Sequence, residues 1–314
     1  MALKIPGFQE KTLDKVERLL RLLEELGRHP VLKGKLCMHG GTAINLFMLE
    51  APRLSVDIDL SFIGAEGQEQ MLQERPSIEK AVNEVITFSG YTSSHGGNEH
   101  AGRTFRLRYS GQWGPDQIKI DLIYLNRVPL IEPQVRECCL RSTLSVLTFS
   151  DFELAGGKVK ALYDRVAIRD LYDISNIQDY LKEYLKKHPE QEDLCHKTML
   201  FHASISKHFP LPLPGRVADR FSEREDEFET QLYPMLKEGK RPALKALVAS
   251  AESFVDDYVL LKNEREMEYL ERLAQADYQP AVLFEDYPTI LVAAQKNPEA
   301  LWKLMNLKKM LETS

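Results

Sequence analysis

Strict alternation of apolar and polar residues occurs in three runs of the first half of the chain and stops by about residue 148. Val56, Ile58, Leu60 and Phe62 alternate with Asp57, Asp59 and Ser61; RTFRLRY runs from Arg103 to Tyr109, and QIKIDLIYL from Gln117 to Leu125. Period-two patterning is what a strand with one buried face requires, so these segments commit the first half to a sheet, with KLCMHGG as a shorter candidate. Helical spacing lies between them, at 12–28 with Gly27 near its end, at 42–50 and at 76–88. After 148 only helical patterns remain. Ser150-Asp151-Phe152-Glu153 has capping-box spacing ahead of a helix to 165, and further helices are expected at 171–187, 192–207, 216–236, 243–276 in one or two pieces, and 298–311. HFPLPLPGR at 208–216 reads as a stiff connector, because its prolines cannot continue a helix. The expectation is an α+β protein: a mixed sheet with flanking helices at 1–148 and a mostly helical domain at 149–314.

Composition narrows the classes of function. With 314 residues, 43% of them hydrophobic and 28% charged, the chain can bury an ample core. No apolar run is long enough to cross a bilayer, and MALKIPGFQEK lacks the charged start and apolar core of a secretory signal, so a cytoplasmic protein without membrane contact is expected. The four cysteines (Cys37, Cys138, Cys139, Cys195) show no metal-ligand spacing and read as buried thiols, and Cys195-His196 with His202 lacks the second cysteine pair of a zinc site. Net charge is −6, with the acidic excess in the second half. Any nucleic-acid contact must therefore come from a local patch, for which Arg103, Arg106, Arg108 and the lysines between Lys182 and Lys187 are the candidates. The arginine run equally fits the exposed face of an edge strand.

HGGTAINLFMLEAPRLSVDIDLSF, from His39 to Phe62, carries the chemistry. Asp57 and Asp59 project from one strand face, about 6.6 Å apart by strand rise. Carboxylates so close repel unless something cationic meets them, either a basic partner or a metal, and Mg²⁺ with its oxygen ligands suits the donors best. Asp121, on one face of the later strand with Lys119, becomes a third carboxylate if the two strands are neighbours, enough for a cluster of two ions. Gly40, Gly41 and Thr42 at a helix start would offer backbone N–H groups and a hydroxyl to an anion. His39 reads as a core or supporting residue.

The order HGGT, VDIDL, IDL resembles the nucleotidyltransferase superfamily that includes DNA polymerase β. With RLS before the aspartates and ELAGGKVKALYDRVAIRDLYDI after the sheet, the chain is similar to the AbiEii toxin family, the nucleotidyltransferase partners of abortive-infection and MenAT-type toxin–antitoxin systems. The resemblance spans Gly40 to Asp173. It implies a phosphate cradle at Gly40, Gly41 and Thr42, supporting roles for Arg53 and Ser55, metal ligation by Asp57, Asp59 and Asp121, and essential roles for Lys158 and Asp173, with Lys158 also facing the triphosphate. It further implies transfer of a nucleotide from an NTP with Mg²⁺, two ions, to the 3′ end of tRNA, blocking translation, and neutralisation by a cognate antitoxin. Gly156-Gly157 just before Lys158 weakens a helix interior and suggests a bend or close packing against the nucleotide. A small-molecule nucleotidyltransferase of the antibiotic-modifying kind, or a non-catalytic partner-binding module, is the alternative.

Overall fold

The computed structural model describes residues 3–95, 101–165, 167–209, 221 and 227–313. The connector expected at 208–216, apart from its first two residues, and the opening of the helix expected at 216–236 lie outside the described residues. The chain divides into two compact units, residues 1–149 with 234–240, and 150–233 with 241–314.

In the first unit, strands β1 (Leu36–His39), β2 (Asp57–Phe62), β3 (Thr92–His95), β4 (Gly102–Gly111), β5 (Gly114–Ile123), β6 (Gln134–Cys138) and β7 (Arg141–Thr148) form one mixed sheet in the order β3-β4-β5-β2-β1-β7-β6. β2 pairs with β5 in parallel and with β1 antiparallel. The alternation seen in sequence explains the middle of this sheet: Ile58, Leu60, Phe105, Leu107, Ile118, Ile120 and Leu122 all turn to a buried face. On that face Arg103 forms an ion pair with Glu79 of helix α3 (Gln68–Phe88). Helix α1 (Glu10–Arg28) buries the leucine stripe Leu13, Leu19, Leu20, Leu22, Leu23 and Leu26. Residues 234–240 complete the unit: Leu54 N–H donates to the Met235 carbonyl at 2.7 Å and Thr12 Oγ1 to the Pro234 carbonyl at 2.9 Å.

Four local expectations change. The helix expected at 42–50 begins two residues earlier as α2 (Gly40–Ala43), continues as a π turn over Ile44–Met48, and is closed by Ala51 at φ 48°. α3 starts at Gln68, well before Pro76, because Met71, Arg75, Ile78, Val82 and Val85 form a single buried stripe that overrides the proline. Strands β3, β6 and β7 were not expected; β3 and β6 are the sheet edges, which carry little buried apolar alternation. Of the cysteines, Cys37, Cys138 and Cys195 are buried but Cys139 is exposed.

The second unit is helical among its described residues. α4 (Asp151–Asp164) is capped by Ser150, whose Oγ accepts from Glu153 N–H, and α5 (Ile168–Lys187) and α6 (Glu192–Ser204) follow. The stretch expected at 243–276 forms two helices, Leu244–Tyr258 and Glu264–Ala274, and two further helices, Pro280–Phe284 and Pro288–Lys296, precede the last at Pro298–Glu312. His196 Nε2 lies 3.2 Å from Glu266 Oε2, a buried contact that gives this histidine a packing role. Gly156 has a reason of its own: a Cβ there would stand 2.3 Å from the ring of His202 on α6. Burial pushes His202 down to about 3, so the ring is neutral where α4 leans on it. Gly156 thus serves helix packing, whereas Gly157 faces open space. Gly156→Ala should destabilise the protein by about 1–3 kcal/mol through overpacking, read as a lower urea midpoint with unchanged slope.

Candidate active site

The strand registers place polar side chains in rows on the sheet face opposite the apolar one. His39, Asp59, Asp121 and Thr104 stand in one row across β1, β2, β5 and β4. Asp57, Lys119, Arg106 and Ser94 form the next, across β2, β5, β4 and β3. Gln117, Arg108 and Thr92 form a third, the rows lying about 6.6 Å apart. Asp57, Asp59 and Asp121 therefore share one face, and the parallel pairing of β2 with β5 is what brings the third carboxylate beside the other two.

Gly40 is fixed by this arrangement. Its φ is 71°, and a Cβ would lie 2.1 Å from Asp59 Oδ2, so the carboxyl group rests directly on the glycine backbone. Burial, together with the neighbouring Asp57 and Asp121 charges, raises the Asp59 pKa against the opposing influence of His39 and Lys119. His39 is itself held by stacking on Phe149, with ring centroids 5.6 Å apart. Lys119 Nζ sits 2.8 Å from Asp121 Oδ2, and Thr104 Oγ1 donates to Asp121 Oδ1 at 2.6 Å. Although burial alone would lower it, Lys119 is raised by Asp121, Asp57 and Asp59. A basic partner and an acid cluster thus coexist on this face.

Thr42 and its neighbours hold the glycine turn against β2. The Thr42 side chain is fully buried and its hydroxyl donates to the Asp57 carbonyl at 2.5 Å, so it ties α2 to the acid strand and does not face an anion. Asn45 Nδ2 donates to the Gly41 carbonyl at 2.9 Å. Arg53 and Ser55 are buried, and Arg53 Nη1 donates to the Leu54 carbonyl at 2.9 Å. These contacts shape the loop that enters β2.

For Mg²⁺ the donors fit in kind, three carboxylates on one face with Asp59 unfavourably charged there. Among the described residues, however, no three His, Cys, Asp or Glu side chains stand close enough to form a ready-made metal site. Both oxygens of Asp121 are engaged, by Thr104 and Lys119.

The second unit carries a separate charged cluster. Lys158 Nζ lies 2.7 Å from Asp170 Oδ1 and 2.7 Å from Asp173 Oδ2, and Arg165 Nε lies 2.8 Å from Asp170 Oδ2. Lys158, Asp170 and Asp173 are buried while Arg165 is exposed. Sequence reasoning singled out Lys158 and Asp173 and passed over Asp170, although RDLYD holds both acids at the start of α5. Burial on its own would raise Asp170, yet Lys158 and Arg165 hold it well below the usual carboxylate range.

The family model of the nucleotidyl transferase AbiEii toxin, of type IV toxin–antitoxin systems, matches residues 21–258. The chain belongs to this family. It is a nucleotidyltransferase. Among solved structures, MenT4, a nucleotidyltransferase toxin from Mycobacterium tuberculosis H37Rv, is similar at 14% identity over 92% of this chain and 94% of that one, with a TM-score of 0.54. JHP933 from Helicobacter pylori is similar at 14% identity over 86% of this chain and 97% of that one, with a TM-score of 0.50. Both share the fold. No curated protein matches the sequence significantly.

Two predictions follow from the charges of this AbiEii chain. Asp59→Asn should lower nucleotidyl transfer by at least about a hundredfold. In chelator it should also raise the melting temperature at neutral pH. A raised carboxyl favours the protonated folded state, so the wild type loses stability as pH climbs through that range, and the gain from asparagine should shrink as pH falls toward ordinary carboxylate values. Asp170→Asn should cost about 3–5 kcal/mol in denaturant melts near neutral pH, because it disrupts a buried ion-pair network. Since Asp170 is depressed in the folded state, its contribution is complete above the unfolded carboxylate value, and the gap should close only as pH falls below that value.

Proposed function

We propose that this AbiEii-family chain is a toxin that transfers a nucleoside monophosphate from an NTP to the 3′ end of tRNA in the cytoplasm, so blocking translation, and that a cognate antitoxin restrains it. The observation that carries this reading is the row His39, Asp59, Asp121, Thr104 with Asp57 beside it, set over the glycine backbone of Gly40. With Mg²⁺ to offset the carboxylates, the glycine turn beside them suits the phosphates of a nucleoside triphosphate, and a cationic small-molecule acceptor is the alternative.

Asp57 and Asp59, joined by Asp121 once it exchanges its present partners, would hold the Mg²⁺, two ions in this reading, which supplies an activated acceptor hydroxyl and charge stabilisation for departing pyrophosphate. Gly40 and Gly41 give the triphosphate a close backbone approach. Thr42, Arg53 and Ser55 keep the loop and β2 in place. In the transfer the acceptor's 3′-oxygen bonds to the α-phosphorus as the bond to pyrophosphate breaks, and Asp121 is assigned the acceptor's proton. Lys158 and Asp173 are assigned essential roles.

Incubating the protein with each α-labelled NTP, Mg²⁺ and total cellular RNA should place label in a tRNA-sized band with one preferred nucleotide. Label confined to the protein itself, or recovered in a small-molecule product, would overturn the tRNA acceptor.

A further inference from the structure

The sheet face that bears the carboxylates continues outward in a second character. Beyond Asp121 and Asp57 come Lys119 and Arg106 in one row and Gln117 and Arg108 in the next, finished at the sheet edge by Ser94 and Thr92 of β3. Arg106 and Arg108 are exposed, and among the described residues neither forms an ion pair. Arg103, on the same strand, belongs to the opposite face and is held by Glu79.

We propose that Arg106 and Arg108, extending the row of Lys119, form a track for the sugar-phosphate backbone of an RNA acceptor, leading its end toward Asp59 and Asp121. The proposal rests on the reading of the carboxylate face as a nucleotidyltransferase site. Three features favour RNA over a protein partner. The two guanidiniums project from adjacent rows, Arg106 across from Lys119 and Ser94 and Arg108 across from Gln117 and Thr92, and these polar and basic cross-strand neighbours suit repeated phosphate contacts better than the apolar centre of a protein interface. Among the described residues neither guanidinium is ion-paired, so in a chain of net charge −6 this patch offers a polyanion local attraction. Trp113 is 46% exposed at the tip of the β4–β5 hairpin, beyond the arginines along the same strands, where an aromatic ring offers a surface for base stacking.

The alternative use of the same face, to hold the NTP's own phosphates, would make the arginines matter for nucleotide and not for RNA. An acidic protein partner would use them without any RNA contact. Lysines at the end of α5 were the other candidates for RNA. Lys182 lies 3.7 Å from Asp257, and Lys186 and Lys187 sit in the last turn of a helix, where cations are favoured by the helix dipole without any ligand.

Fluorescence anisotropy with a labelled single-stranded RNA 15-mer, measured in the full-length protein from 50 to 200 mM salt, tests the track. Each phosphate neutralised on a single strand contributes about 0.7 to the slope of log affinity against log salt. Arg106→Gln with Arg108→Gln should therefore lower the slope by about 1.4, so that the wild type loses about sevenfold more affinity than the variant over that range. Trp113→Ala should weaken binding with the slope unchanged. Equal slopes for wild type and the double variant, in protein whose melting temperature shows it folded, would overturn the proposal, as would absence of RNA binding by the wild type. Loss of nucleotide or protein binding by the double variant with RNA binding intact would overturn it too. Wild-type binding of a fluorescent ATP analogue is read separately, so a failed RNA surface is told apart from a failed nucleotidyltransferase site.

Discussion

Repulsion among three carboxylates on one sheet face is the constraint that the first unit is arranged to contain. Asp57, Asp59 and Asp121 share one face because β2 and β5 run parallel in register, and two of them, Asp59 and Asp121, have a local answer. Gly40 removes the side chain that would collide with Asp59, leaving backbone beneath it. Lys119 and Thr104 take the two oxygens of Asp121, and His39, braced by Phe149, adds positive influence beside Asp59. Even so, burial first, and the Asp57 and Asp121 charges after it, leave the Asp59 pKa raised.

Charge in the second unit is organised in the opposite sense. Lys158 is buried between Asp170 and Asp173, and Arg165 closes the cluster from the surface. Such a network has little tolerance for losing one partner, since the group left behind would be charged and out of reach of water. It joins the start of α5 to the middle of α4 and gives RDLYD a structural meaning.

How much could be read in advance followed burial. β2, β4 and β5 lie within the sheet with one buried face, so their alternation was strict and visible, whereas β1, with adjacent Cys37 and Met38 both buried, was legible only as a short candidate. β3 and β6 are edges and polar, and β7 beside β6 shows only a weak pattern, so nothing in their residues forced a strand reading. Pro76 suggested a helix boundary, but a stripe of buried residues on both sides of it outweighed the local penalty. Gly156-Gly157 looked like a place for a ligand, and packing against His202 accounts for the first of them.

By itself the sequence determined the order of elements in the core of the sheet, the helical nature of the second half, and the candidate acids, because residue type and period act locally along the chain. Only tertiary structure decided which groups meet. That β2 and β5 are parallel neighbours, that Asp121 is bound by Lys119 and Thr104, that Thr42 turns inward to the Asp57 carbonyl, and that Asp170 shares Lys158 with Asp173 all depend on pairing between segments far apart in sequence. The arginines make the same point: a strand's alternation separates Arg103 from Arg106 and Arg108, but which face meets the helix and which continues the acid rows is set by the sheet as a whole.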